Sequence, residues 1–206
     1  MSKIKLTKGE LKKQRDALKQ YERYLPTLQL KKQQLQMEIL RQITLLEEKE
    51  HSEKIKVNAA QAWAGLFVAD LGINISQWLN PEKIITSSKN IAGVDVPVFE
   101  RTEFGLVEYD LFIIPLWVDT AVELLRAIIS LREETKVIRK GIEVLRQELR
   151  ITAQRVNLFE KVKIPETEEN IRIIKIYIGD QMANAVGRSK IAKKKIEQAA
   201  LEEQYA

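Results

Sequence analysis

Two long stretches of the chain carry apolar residues at alternating intervals of three and four positions. The longer stretch runs from Leu124 to Phe159, and its members are large and apolar except for two threonines. They are Leu124, Ile128, Leu131, Thr135, Ile138, Ile142, Leu145, Leu149, Thr152, Val156 and Phe159. Because the residues between them are mostly charged, the apolar stripe is narrow, as it is in a coiled-coil seam. The pattern predicts a long helix that pairs with another helix.

A second stripe with the same spacing lies near the N-terminus and is interrupted by only a few polar residues. It consists of Leu11, Gln14, Leu18, Tyr21, Leu25, Leu28, Lys32, Leu35, Ile39, Gln42 and Leu46. Thr7 precedes Glu10 by three residues, which is the spacing of a capping box and predicts a helix start near residue 8. Pro26 is expected to kink this helix or to cost it a hydrogen bond, without necessarily ending it.

The segment between the two stripes, residues 65–116, loses the helical period and contains several glycines and prolines. Ile91–Phe99 and Gly105–Ile114 are rich in β-branched and aromatic residues, with Arg101–Glu103 between them. These features predict a β-hairpin. Pro97 has no N–H to donate, so the first strand is expected to lie at a sheet edge.

The C-terminal part shows a further helix signal. Pro165 followed by three nearby glutamates predicts a break and a fresh helix start, because proline and acidic residues suit a first helical turn. An apolar row then leads towards a basic tail and consists of Ile171, Ile174, Ile178, Met182 and Ala185.

Neither long amphipathic helix can bury its stripe alone, so the two are expected to pack against each other. The predicted fold is mainly α: a long antiparallel two-helix coiled coil with a small central α+β insert containing a β-hairpin. The predicted segments are residues 1–64, the insert 65–116, and the C-terminal helix 117–206, kinked or broken near Pro165.

Composition argues against an active site. The chain has no cysteine and one histidine, His51, which lies among glutamates and is interpreted as part of a solvated helix face. No glycine-rich nucleotide-binding motif occurs. We therefore expect no catalytic residue, no cofactor and no metal. Since the start lacks a signal peptide and no apolar run is long enough for a membrane span, the expected location is cytoplasmic without membrane insertion.

The charged residues are compatible with more than one kind of binding partner. The net charge is +5, and the tail contains Arg188 and the run Lys193, Lys194 and Lys195. This run could contact phosphates, but accompanying glutamates favour a solvated face or a collar against an acidic protein ring. The predicted hairpin residues could cover their own small core or present an edge to a partner, and they are Ile91, Val94, Val96, Val98 and Phe99.

Four segments together resemble a known family. Arg155–Pro165 (RVNLFEKVKIP) and Asn170–Ile178 (NIRIIKIYI) are similar to the most specific stretch of the D subunit of the V-type and A-type rotary ATPases. Asn90–Pro97 (NIAGVDVP) resembles a segment of that family's central insert, and Leu6–Leu11 (LTKGEL) resembles its opening, with leucine where proline is usual.

The resemblance implies a non-catalytic central rotor shaft. Its expected partners are the catalytic and regulatory ring subunits around the tip, the F subunit on the lower shaft, and a funnel-shaped subunit that leads to the membrane rotor ring. Nucleic acid is not an expected partner. Besides the hairpin and tail residues, Arg155, Glu160 and Arg172 are candidate partner contacts. The alternative functions are a structural coiled-coil adaptor or chaperone-like helical hairpin, and then a basic helical nucleic-acid-binding protein.

Overall fold

The computed structural model describes residues 4–62, 65, 76–106, 115 and 117–204. The elements in chain order are α1 (Lys8–Gln61), α2 (Ser76–Leu79), β1 (Pro81–Ile91), β2 (Val94–Phe104), α3 (Trp117–Leu158), a π-helical turn (Phe159–Lys163) and α4 (Ile164–Gln204). They form two compact units, the first made of residues 1–29 and 154–206 and the second of residues 30–153. The division of the chain into 1–64, 65–116 and 117–206 stays a prediction.

Helix α1 begins where the capping signal predicts. The backbone N–H of Glu10 donates to Oγ1 of Thr7 over 3.2 Å, which satisfies one of the free donors of the first turn. Pro26 lies inside the helix without ending it. Just after it, Oγ1 of Thr27 donates to the carbonyl oxygen of Tyr24 over 2.7 Å.

In the second unit, α1 and α3 pack side by side along the predicted seams. From Ile128 to Thr152, every seam position of α3 is buried or half-buried, and so is every seam position of α1 from Lys32 to Leu46. Four ion pairs join the two helices, and they are Lys31–Glu148, Lys49–Glu134, Glu50–Arg139 and Glu53–Arg132. Lys31 pairs with Glu148, whereas Glu53, about six turns further along α1, pairs with Arg132. The helices are therefore antiparallel, which confirms this part of the prediction.

The first unit also pairs the two ends of the chain. The rings of Tyr21 and Phe159 lie 5.2 Å apart, and Thr167, Ile171 and Ile174 of α4 are buried. Met182 and Ala185, the last members of the predicted row, are exposed. Leu6 and Lys8 line a groove together with these two residues.

The hairpin exists, but its predicted position is wrong. Strands β1 and β2 pair antiparallel with Ile91 opposite Val94, so Ala92 and Gly93 form the turn, with φ angles of 51° and 79°. Arg101–Glu103 lies inside β2 rather than in a turn. Of the second predicted strand, Gly105 and Leu106 have no regular structure, and residues 107–114 lie outside the described residues. The error arises because β1 is almost entirely exposed and its sequence is therefore polar.

Of the two alternatives predicted near Pro165, a break of the helix is wrong, and a kink stays a prediction. The chain stays helical, and the π-helical turn immediately precedes α4, whose second residue is Pro165. The backbone N–H of Ile164 donates to the carbonyl oxygen of Phe159, five residues earlier. Since proline has no N–H to give, a local change in the hydrogen-bond pattern accommodates it without ending the helix.

Candidate functional site

The hairpin of the second unit is held against the helix pair by a small apolar core. Leu35 and Ile39 of α1, Leu145 of α3 and Val96 of β2 are buried together. Ile91 and Val94 beside the turn pack against this cluster. The sequence pattern predicted that these residues would either cover a core or face a partner, and Ile91, Val94 and Val96 do the former.

The opposite end of the hairpin is fastened by Arg126 of α3. Its Nε donates to the carbonyl oxygen of Trp78 over 3.0 Å, and its Nη2 donates to that of Gly105 over 2.7 Å. Its guanidinium also lies 5.0 Å from the ring centroid of Phe104, within the range of a cation–π contact. One side chain therefore ties α3 to α2 and to the end of β2, a role that sequence reasoning missed.

A cleft of about 560 Å³ opens between the hairpin and the helices of this unit. Its apolar lining includes Leu45 of α1, Ile138 of α3, and Val98 and Phe99 of β2. Charged side chains of both signs also line it, namely Glu38, Arg41, Glu48, Lys89 and Glu134. Val98 is 39% exposed, so Val98 and Phe99 are the predicted hairpin contacts that remain available to a partner.

The charged candidates of the first unit lie on the surface. Arg155, Glu160, Arg188, Lys194 and Lys195 are exposed. Lys193 is exposed too, and its Nζ lies 3.7 Å from a carboxylate oxygen of Glu197.

Arg172 is exposed but is bound within its own helix. Its Nε and Nη2 donate to both carboxylate oxygens of Glu169 over 2.7 and 2.6 Å. This bidentate hydrogen bond lowers the pKa of Glu169 and raises that of Arg172. A partner that contacts Arg172 therefore meets a neutral pair rather than a free cation.

The described residues contain neither a candidate metal-binding cluster nor a candidate membrane span. Among them, no group of three or more histidine, aspartate or glutamate residues could hold a metal ion. None of the described helices is long and apolar enough to cross a membrane. His51 is exposed, in agreement with its interpretation as part of a solvated face.

The profile of the family described as the D subunit of ATP synthase matches residues 10–194. The chain belongs to the ATP synthase D-subunit family. It is 48% identical over 198 residues to the D subunit of a V-type ATP synthase from Borreliella burgdorferi, a match that covers 94% of this chain and 95% of the relative. Proteins of the same description from Chlamydia caviae and Chlamydia felis are 35% and 36% identical, each match covering 96% of this chain and 95% of the relative.

Membership of the D-subunit family agrees with the resemblance carried by the four sequence segments. The family match includes the whole hairpin, the π-helical turn and most of α4. The cleft and the exposed charged residues are therefore surfaces of an ATP synthase component.

Proposed function

We propose that the chain is the central-stalk subunit of a V/A-type rotary ATPase, the axle that couples ATP hydrolysis or synthesis to rotation of a membrane rotor and to ion transport. The observation that carries this proposal is the D-subunit family match over residues 10–194. The two alternative functions, an adaptor or chaperone-like hairpin and a basic nucleic-acid binder, are not favoured, because family membership accounts for both the helices and the insert.

The packing of the second unit suits the transmission of torque. Its two helices share a close-packed apolar seam and four interhelical ion pairs along their length. Each such pair contributes only about 0–1 kcal/mol to stability, because the groups are partly exposed to water. Their value to an axle is that they resist sliding of one helix along the other.

The proposed partners follow from this role. The catalytic and regulatory ring subunits surround the tip formed by the chain ends, the F subunit binds the lower stalk, and a funnel-shaped subunit joins it to the membrane rotor ring. In this assembly the chain performs no catalysis itself. The exposed residues Arg155, Glu160, Arg188 and Lys193–Lys195 are proposed contacts of the tip region, and Val98 and Phe99 are proposed contacts of the insert.

The test is affinity purification of the tagged chain from its native cell after mild detergent extraction, with identification of every co-purifying chain. Nucleotide-binding ATPase subunits are expected in constant proportion to the tagged chain, together with ATP hydrolysis by the purified material. A matched pair of variants sharpens the test. Leu145→Asp places a charge in the buried seam and should abolish co-purification, whereas Glu143→Gln at an exposed position should not. Recovery of the chain without nucleotide-binding subunits would overturn the proposal.

A further inference from the structure

The exposed positions of α3 between residues 132 and 150 carry an almost uniform positive charge. They are Arg132, Lys136, Arg139, Lys140, Glu143, Arg146, Gln147 and Arg150. All but two of them are basic, whereas lysine and arginine only slightly outnumber aspartate and glutamate in the whole chain, 34 to 29. We call this surface the basic ridge.

The basic ridge lies on the side of α3 that is turned away from the hairpin. Most of its members follow a seam residue by one position, which places them about 100° round the helix from the seam. Gly141, which faces Val96 of the hairpin, lies on roughly the opposite side of α3. The ridge therefore runs along about five helical turns, roughly 27 Å, and stays exposed throughout.

The other acidic residues of the same stretch of α3 are half-buried and already bound. Glu134 and Glu148 pair with lysines of α1, and Glu133 pairs with Lys136 of the ridge. Acidic and basic side chains usually alternate on a charged helix face, which lowers its net charge. Here the two signs are separated, with most glutamates towards the protein and the cations towards water.

The cations of the ridge are only partly neutralised within the unit. Arg132 and Arg139 pair with glutamates of α1, yet their side chains stay 55% and 62% exposed. Among the described residues, no ion pair includes Lys140, Arg146 or Arg150. The ridge therefore retains accessible guanidinium and ammonium groups for a partner.

Charge complementarity requires an acidic partner, and the lack of apolar side chains indicates its form. No exposed position of α3 between residues 132 and 150 is apolar, whereas an interface between folded domains has an apolar centre. An extended acidic segment needs no such centre, because its carboxylates form charge-assisted hydrogen bonds with the arginines, and these can be bidentate. About eight extended residues cover the roughly 27 Å of the ridge.

Nucleic acids and membranes fit the ridge less well. Single-stranded nucleic acid binds surfaces that combine cations with aromatic side chains on which the bases stack, and no exposed position of the ridge is aromatic. Helices that lie on a membrane surface insert apolar side chains, which the ridge also lacks. We propose that the basic ridge binds an extended segment of another protein that is rich in aspartate and glutamate, through a weak and salt-sensitive contact. This inference goes beyond the proposed function and does not depend on it.

The first test uses a fluorescein-labelled peptide of ten glutamates, whose binding to the full chain is measured by fluorescence anisotropy. Arg146→Gln combined with Arg150→Gln removes two exposed cations outside the ion pairs, so the melting temperature should stay within about 2 °C of the parent. We expect the dissociation constant to rise at least fivefold. The matched control, Lys193→Gln combined with Lys194→Gln, removes the same charge from the tail and should change it less than twofold. Equal weakening by the two pairs would mean that the peptide responds only to net charge, and this would overturn the inference.

Two further probes separate the acidic segment from other polyanions. They are a ten-nucleotide single-stranded DNA and vesicles that contain phosphatidylserine, each measured at the same salt concentration as the peptide. We expect both to bind the parent more weakly than the peptide does. If either binds more tightly and loses this binding in the Arg146→Gln and Arg150→Gln variant, the ridge belongs to that class of ligand and the inference is wrong.

Cross-linking in native material identifies the partner. The chain has no cysteine, so a benzophenone can be attached at Gln147→Cys on the ridge and, as a control, at Ser87→Cys on the exposed strand β1. Cross-links from Gln147→Cys alone to a segment with at least four acidic residues in eight support the inference, and their yield should fall severalfold when salt is raised to about 1 M before irradiation. Cross-links to segments of ordinary composition, identical products at both positions, a yield unaffected by salt, or no cross-link to another protein would overturn it.

Discussion

Gly141 of α3 and Val96 of β2 approach so closely that a β-carbon on Gly141 would lie 2.9 Å from Cγ1 of Val96. Real β-carbons essentially never come that close to another heavy atom. A glycine inside a helix costs about 0.5–1 kcal/mol relative to alanine. Its presence here is explained by the space it leaves, because Val96 fills that space and brings the hairpin against the helix pair.

Gly141→Ala is therefore expected to lower the free energy of unfolding by about 1–3 kcal/mol, since the strain of overpacking exceeds the gain in helix propensity. Urea denaturation followed by circular dichroism measures the change. The matched control is Gly179→Ala in α4, where a β-carbon would meet nothing within 4 Å. That substitution should stabilise the protein by up to about 1 kcal/mol. A stabilising effect at both glycines would contradict the close approach of Val96.

Both residues of the hairpin turn have left-handed φ angles, but only one of them is a glycine. Gly93 adopts a φ of 79°, so Gly93→Ala should destabilise the protein by about 1–2 kcal/mol. Ala92 already occupies the left-handed region, with a φ of 51°. Ala92→Gly should relieve the same strain, but it also removes a methyl that packs on the core, so the gain should stay below about 1 kcal/mol. Melting temperatures of the two variants should move in opposite directions, and a shift of the same sign would argue against this turn.

Arg126 should stabilise the open end of the hairpin, where β1 begins and β2 ends. Arg126→Lys keeps the charge but loses the planar fork that reaches the carbonyl oxygens of both Trp78 and Gly105. Hydrogen bonds from charged donors contribute about 1.5–3 kcal/mol each, so the strand ends should open more often. Hydrogen exchange should accelerate for amides near Lys83 and Phe104 and stay nearly unchanged near Ile91 and Val94. Uniform acceleration along both strands would mean that Arg126 stabilises the whole unit instead.

The Glu169–Arg172 pair gives a pH-dependent signal. Arg172 holds the pKa of the Glu169 carboxyl below its ordinary value, so whatever stability the pair adds is present above the ordinary glutamate pKa and is lost as the pH falls through the lowered one. Because both side chains are exposed, the effect on stability should be small. Carboxyl chemical shifts should show Glu169 titrating below the ordinary glutamate pKa. Arg172→Gln should move the Glu169 midpoint back towards that ordinary value, and an unaltered midpoint would exclude the pair in solution.

The sequence predicts the helices better than the hairpin, for a physical reason. The seam residues from Leu124 to Phe159 repeat over many turns, and burial imposes that spacing on each of them. The Thr7 cap is equally local, so its pattern also identifies the start of α1. Strand β1 has almost no buried side chain, and its residues Thr86–Asn90 resemble a loop. It is a strand only because it pairs with β2, and the composition of a short segment does not show which segment it pairs with.

The candidate contact residues also differ in how well the sequence predicts them. Apolar hairpin residues could be recognised from composition, but whether Val96 faces a core and Val98 faces water depends on how the hairpin lies against the helices. Arg126 carries no sequence signal, because its two acceptors are backbone carbonyl groups in distant segments.

The π-helical turn sets the register of everything after it. A heptad continued beyond Val156 and Phe159 would bury Glu166 and Asn170, yet the buried residues are Thr167 and Ile171, each one position later. The turn therefore acts as a single inserted residue that the helix absorbs without losing its contact face. It follows that a relative one residue shorter between Phe159 and Lys163 can present the same surfaces with an unbroken α-helix. Chain lengths that differ by one here are structurally equivalent.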